Sequence, residues 1–214
     1  RLEVIECDTQ TLFDRELLAG PASPLPSLSS FSKFRKLAER QNIALPLSAP
    51  AQLPPPPANL ARESLQQPIP DLSGYESTPC PYTGGETAAR EHLQAYFAGH
   101  HASTYKLTRN ALDGHSLSSK FSPWLSNGSL SVRRALAEIK QYEAQHGAND
   151  STYWLYIEML WREFFQWLAA DVGTALFAAK GINRCAGTRC FHPERFEKWC
   201  QGTTPYPIVH ACMQ

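Results

Sequence analysis

The sequence predicts an α/β remnant followed by a longer, mostly α-helical region. Three observations carry this. The β-branched run Leu2-Glu-Val-Ile-Glu-Cys7 reads as a strand. Prolines crowd the next stretch, at Pro46, Pro50, Pro54 to Pro57, Pro68 and Pro70, and exclude continuous helix or a central strand there. From Thr83 onward, apolar residues recur at helical spacing. The expected division is residues 1–41 as the C-terminal end of an α/β domain, 42–82 as a proline-rich linker over a surface, and 83–214 as a helical domain.

Each element follows from local chemistry. Thr9 to Leu18 reads as a turn and a helix, and Phe31 to Arg40 places Phe34 and Leu37 at helical spacing between basic residues. Gly84-Gly85-Glu86-Thr87 opens a helix whose Ala89, Leu93 and Phe97 fall four residues apart. Ser131 can cap a helix over Val132 to His146, where Val132, Leu136, Ile139 and Tyr142 form one apolar stripe and Gly147 supplies the stop. Pro193 to Cys200 reads as a short helix stopped by Gly202, and Pro207 starts another that runs to the end at Gln214.

The chain is organised around Tyr153 to Gly173. Asn149-Asp150-Ser151-Thr152 can cap its first free N–H groups, and Gly173 closes it. Trp154, Leu155, Met159, Leu160, Trp161, Phe164, Phe165, Trp167 and Leu168 lie on every side, so the helix is expected to be enclosed by others. Glu158 precedes Trp161 by three residues and Arg162 by four, so carboxylate, indole and guanidinium project from neighbouring positions. Two readings stay open: an ion pair inside a bundle, or a ligand wall with an acceptor, a stacking plane and a phosphate-binding cation.

Composition narrows the class. The chain has 214 residues with 20 Lys and Arg against 20 Asp and Glu, a formal net charge of zero, and so lacks the basic excess of proteins held to nucleic acid mainly by charge. Six irregularly spaced cysteines suggest reduced thiols and a cytoplasmic setting. The spacing of Cys185, Cys190, His192 and Cys200 does not match a zinc knuckle, and no metal is expected. No apolar run has the length of a membrane span. The chain opens at Arg1 within a strand-like run, which suggests a fragment.

A polar stretch runs from Tyr105 to Ser131. Ser118, Ser119 and Ser122 offer hydroxyls and backbone N–H groups, Lys120 a cation, and Pro123 prevents pairing as a sheet, so the segment could cradle a diphosphate or be a solvated turn. Together with the long helix it has a family look. SSKFSPWLSNGSLSVR, NDSTYWLYIEMLWREFF and FEKWCQGTTPYPIVHACM resemble the photolyase and cryptochrome family, and GGETAAREHLQAYF, TRNALDG and FSKFR resemble its DASH branch. The resemblance covers nearly the whole chain.

That resemblance implies an α/β antenna domain before an all-helical domain that holds FAD in a folded conformation. It implies a deoxyribodipyrimidine photolyase activity, in which blue light drives an electron from reduced flavin into a flipped-out cyclobutane pyrimidine dimer. The DNA would be single-stranded or locally unpaired, the protein a monomer without a membrane partner, and a folate-type antenna would belong to the full-length parent. Residue by residue, Tyr105 and the loop Ser118, Ser119, Lys120, Phe121 and Ser122 match positions around the flavin phosphates. Arg109 matches an arginine associated with DNA. Glu158 matches the carboxylate that contacts the dimer, Trp161 the aromatic that packs against it, and Arg162 a flavin-pocket arginine. The family's further flavin contacts fall beyond Gln214, no tryptophan stands at Arg189 to Phe191 where a relay tryptophan is expected, and His210 stands where relatives often carry Asp or Asn. Two alternatives remain: a flavin photoreceptor that signals without repair, and a helical fragment without function. Glu158 and Trp161 are expected to face one cavity, as are Tyr105, Ser118 to Ser122 and Arg162.

Overall fold

The computed structural model describes residues 10–19, 30–44, 46–48, 50–52, 55, 80–111, 114–182 and 191–213. Its helices are α1 (Arg15–Ala19), α2 (Phe31–Ala38), α3 (Glu86–Ala98), α4 (His101–Thr108), α5 (Ser122–Asn127), α6 (Val132–His146), α7 (Asp150–Val172), α8 (Pro193–Cys200) and α9 (Pro207–Met213). Among the described residues there is no strand. The strand expected at Leu2 to Cys7 lies outside them, so the mostly helical architecture is observed and the α/β remnant is not. The described residues up to Asp171 pack as one unit and those from Val172 as another.

Helix α7 is the axis of the first unit. Its start is fixed by Asn149, whose side-chain oxygen accepts from the N–H groups of Ser151 and Thr152 at 2.9 and 3.0 Å. These are donors that a helix leaves orphaned. The Thr152 hydroxyl, fully buried, donates to Glu143 of α6 at 2.8 Å. Leu155, Met159, Leu160, Phe164 and Trp167 are buried. The expectation of enclosure on every side is corrected at Tyr153 and Phe165, which are 42% and 56% exposed.

The remaining expectations about periodicity are met by burial. Ala89, Leu93 and Phe97 of α3 are buried, as are Val132, Leu136, Ile139 and Tyr142 of α6. The stretch from Tyr105 to Ser131 is not the single loop that its polar composition suggested. Tyr105 lies in α4, whose Ala102 and Tyr105 are buried, and Ser122 begins α5, which Pro123 starts and Gly128 ends at φ +80. Both helices are short, α4 rich in histidine, serine and threonine and α5 in serine and asparagine, so burial and not propensity holds them.

The segment before α2 is anchored on α7 by one buried carboxylate. Glu163 is 0% exposed and accepts the backbone N–H of Leu12 at 2.8 Å, that of Phe13 at 3.2 Å and the Trp167 indole N–H at 2.8 Å. Phe13 and Phe34 are also fully buried, and Phe34 of α2 meets Phe164 of α7 at 5.6 Å between ring centroids.

In the second unit, a 3₁₀ turn at Gly173–Phe177 precedes α8 and α9. Gly202 joins the two helices at φ +64, a backbone conformation that favours glycine, and a Cβ there would crowd Met213 Cβ at 3.2 Å. Its carbonyl also meets the His210 ring. Among the described residues, no helix is long and apolar enough to cross a membrane.

Candidate functional site

One cavity of about 380 Å³ gathers much of the expected site. Ser119, Phe121 and Ser122 come from the loop before α5 and its first turn, Leu125 and Ser126 from α5, and Glu158, Met159, Arg162 and Gln166 from α7. Period 3.6 explains the α7 set, since Glu158, Arg162 and Gln166 rise one turn apart on one side. Arg162 reaches across, donating to the carbonyls of Gln10 at 2.6 Å and Leu125 at 3.2 Å.

The loop is built of donors. Lys120 is the one non-glycine residue with positive φ among the described residues, at +53. Phe121 follows in the right-handed region at φ −77, ψ −15. Such a change of hand turns successive N–H groups toward one side and makes an anion-binding concavity. The left-handed residue costs on the order of 1–2 kcal/mol. Among the described residues, the backbone N–H groups of Ser119, Lys120, Phe121 and Ser122 have no hydrogen-bond partner. Ser118 and Lys120 are half-buried in this loop but are not on the cavity wall.

Glu158 has a partner that sequence spacing did not indicate. It forms an ion pair with Arg109, at the C-terminal end of α4, and not with Arg162 one turn further along α7. The Arg109 guanidinium also lies 5.1 Å from the centre of the Trp154 ring, one turn before Glu158. Tyr105 sits behind this group, buried and off the cavity wall. Burial pushes its hydroxyl above the ordinary phenol value, the Glu158 carboxylate adds to the rise, and Arg109 offsets part of it.

Trp161 does not share the cavity with Glu158. Its ring lies flat against Phe31 of α2, with centroids 3.6 Å apart and planes at 9°, and meets Phe164 edge-on at 5.9 Å. Three residues turn the helix by about 300°, and α2 packs where the indole emerges, so the ring is held by the core. Trp161→Ala is expected to lower stability by about 2 kcal/mol, below the roughly 3–5 kcal/mol of a fully buried aromatic because the ring is only half-buried. Urea unfolding checks this, and unchanged stability would show that the stack contributes nothing.

The donor set suits a phosphate group: unpaired amides, the Ser119 and Ser122 hydroxyls, and the Arg162 guanidinium. Phe121, Leu125 and Met159 add apolar wall for a planar ring, and Glu158 an acceptor at one side. This combination suits a phosphate-bearing ligand with a planar ring better than a metal, for which it has too few ligating groups.

Comparison with known proteins gives the family. Cryptochrome DASH of Vibrio parahaemolyticus is 43% identical over 213 residues, covering 99% of this chain and 46% of that protein. Cryptochrome DASH of Idiomarina loihiensis is 42% identical, with 98% and 45% covered. A crystal structure of Synechocystis cryptochrome superposes with a TM-score of 0.84 at 38% identity, covering 96% of this chain and 43% of that one. No family model matches. The chain spans about half the length of the curated relatives it matches. By this similarity along nearly its whole length, the chain belongs to the photolyase and cryptochrome family, in its cryptochrome DASH branch.

Proposed function

We propose that this chain forms part of an FAD-dependent, blue-light photolyase of DASH type that repairs cyclobutane pyrimidine dimers in single-stranded or locally unpaired DNA. The observation that carries the proposal is the cavity lined by Ser119, Phe121 and Ser122, whose backbone amides are unpaired among the described residues, together with Glu158 and Arg162 of α7. In this reading residues 83–214 belong to the flavin domain, 1–41 end an antenna domain, and 42–82 link them.

Ser118, Ser119, Lys120, Phe121 and Ser122 would hold the flavin diphosphate, with Arg162 as the opposing cation and Tyr105 supporting from behind. When bound, the reduced flavin supplies the electron that opens the dimer under blue light. The protein's own work is placement and exclusion of water. Glu158 would accept a hydrogen bond from the flipped dimer, and its pairing with Arg109 holds that carboxylate in orientation. Trp161, which lies outside this cavity and is stacked on Phe31, would meet the dimer only with the part of its ring left exposed. Arg109, partly exposed, would also meet the DNA backbone.

The test is repair of a dimer-containing single-stranded oligonucleotide under blue light by the full-length protein and its Glu158→Gln variant. Wild type should repair, and the variant should retain FAD and fold yet repair about tenfold or more slowly, the scale of losing one preorganised electrostatic group. Equal rates in both would remove Glu158 from the site. FAD bound by a wild type that never repairs would instead support a photoreceptor.

A further inference from the structure

Beneath the phosphate loop lies a cluster that the proposed chemistry does not use. His92 of α3 contacts the Ser119 carbonyl oxygen at 2.9 Å through Nε2. A carbonyl can only accept, so Nε2 carries the proton and donates. The imidazole is confined by rings: Trp124 at 4.8 Å between centroids, and Phe121, His115 and Tyr82 at 5.8, 6.2 and 6.4 Å, all three edge-on. Trp124 is itself fixed by its indole N–H, which donates to the Thr83 carbonyl at 2.9 Å. His92 is therefore a donor that cannot easily turn away.

We propose that His92 is the positioning residue of the phosphate loop. The inference rests on the reading of that loop as the diphosphate site. The Ser119–Lys120 peptide is trans, so its carbonyl and its N–H point in opposite directions. By holding the Ser119 carbonyl toward α3, His92 fixes the Lys120 N–H on the other side of the loop. His92 does not line the cavity, whereas Ser119, Phe121 and Ser122 do. The same bond stabilises the left-handed backbone of Lys120, which has no glycine to ease it. The amides are thus presented before the ligand arrives, which lowers the ordering cost of binding.

Two substitutions separate this role from packing. His92→Phe fills the ring cage without a donor, and His92→Gln restores an N–H near the Nε2 position. In the full-length protein, FAD titration followed by flavin fluorescence should show affinity about tenfold weaker for His92→Phe, the worth of one hydrogen bond, and near wild type for His92→Gln. Without flavin, hydrogen exchange at the Trp124 and Leu125 amides, which donate to the Phe121 carbonyl at the end of the loop, should quicken in His92→Phe alone, while α3 and α6 keep their protection. Unchanged FAD affinity and exchange in His92→Phe would overturn the proposal, as would His92→Gln failing as badly as His92→Phe. A wild type that binds no FAD would instead overturn the proposed function, and the exchange result would still decide whether His92 holds the loop.

Discussion

Glu163→Leu is expected to cost the protein about 3 kcal/mol or more, the largest stability loss of any single substitution considered. The leucine would be buried as the glutamate is, but the N–H groups of Leu12 and Phe13 and the Trp167 indole would lose their common acceptor. Each buried donor left unpaired costs about 1–3 kcal/mol. The carboxyl also gives the protein a pH dependence. Burial pushes its pKa up, and the three N–H groups and Arg162 pull part of the rise back. The folded state therefore holds the proton more tightly than the unfolded one. Stability contributed through this group is fully present below the ordinary glutamate value and falls as pH rises through the raised folded value. Urea unfolding across that window should show wild type losing stability with a slope that Glu163→Leu lacks. A variant within about 1 kcal/mol of wild type at neutral pH would mean that the 10–14 segment does not depend on this carboxylate.

The second large effect is on binding. Ser122→Asp should weaken FAD by about 100-fold or more, because a carboxylate at the loop would face the diphosphate, and like charges brought together cost several kcal/mol. Ser122 is exposed and is the first residue of α5, where an acidic side chain favours the helix, so the fold should keep its stability or gain slightly. The opposite signs make the variant informative. FAD affinity unchanged in Ser122→Asp would place the diphosphate elsewhere.

What the sequence made legible was what repeats. The stripes of α3 and α6 could be read because burial of one face imposes a period of 3.6, and Asn149 could be read as a cap because a helix start needs a side-chain acceptor. Isolated contacts were not legible. Glu163 carries no periodic sign that it meets a backbone more than a hundred residues away in sequence, although a carboxylate between Arg162 and the two phenylalanines of an apolar helix was a signal that burial would demand partners. The spacing of Glu158 and Arg162 suggested a pair within one helix, but Arg109 of α4 lies closer across the packed interface, and tertiary geometry decides. Trp161 shows the same limit. The period places it beside Glu158, yet only the position of α2 determines which ring it meets. Helices α4 and α5 were hidden because their composition is polar and their stability comes from burial of Ala102, Tyr105, Trp124 and Leu125.

The most direct test of the central claim is a crystal structure of the full-length protein with FAD. The diphosphate should lie within hydrogen-bonding distance of the Ser119 to Ser122 amides, with Arg162 and Glu158 on the opposite wall of the same cavity. Flavin density in the other large cavity, between Gln41 to Ala44, α6 and Tyr153 and Tyr156 of α7, would contradict the account.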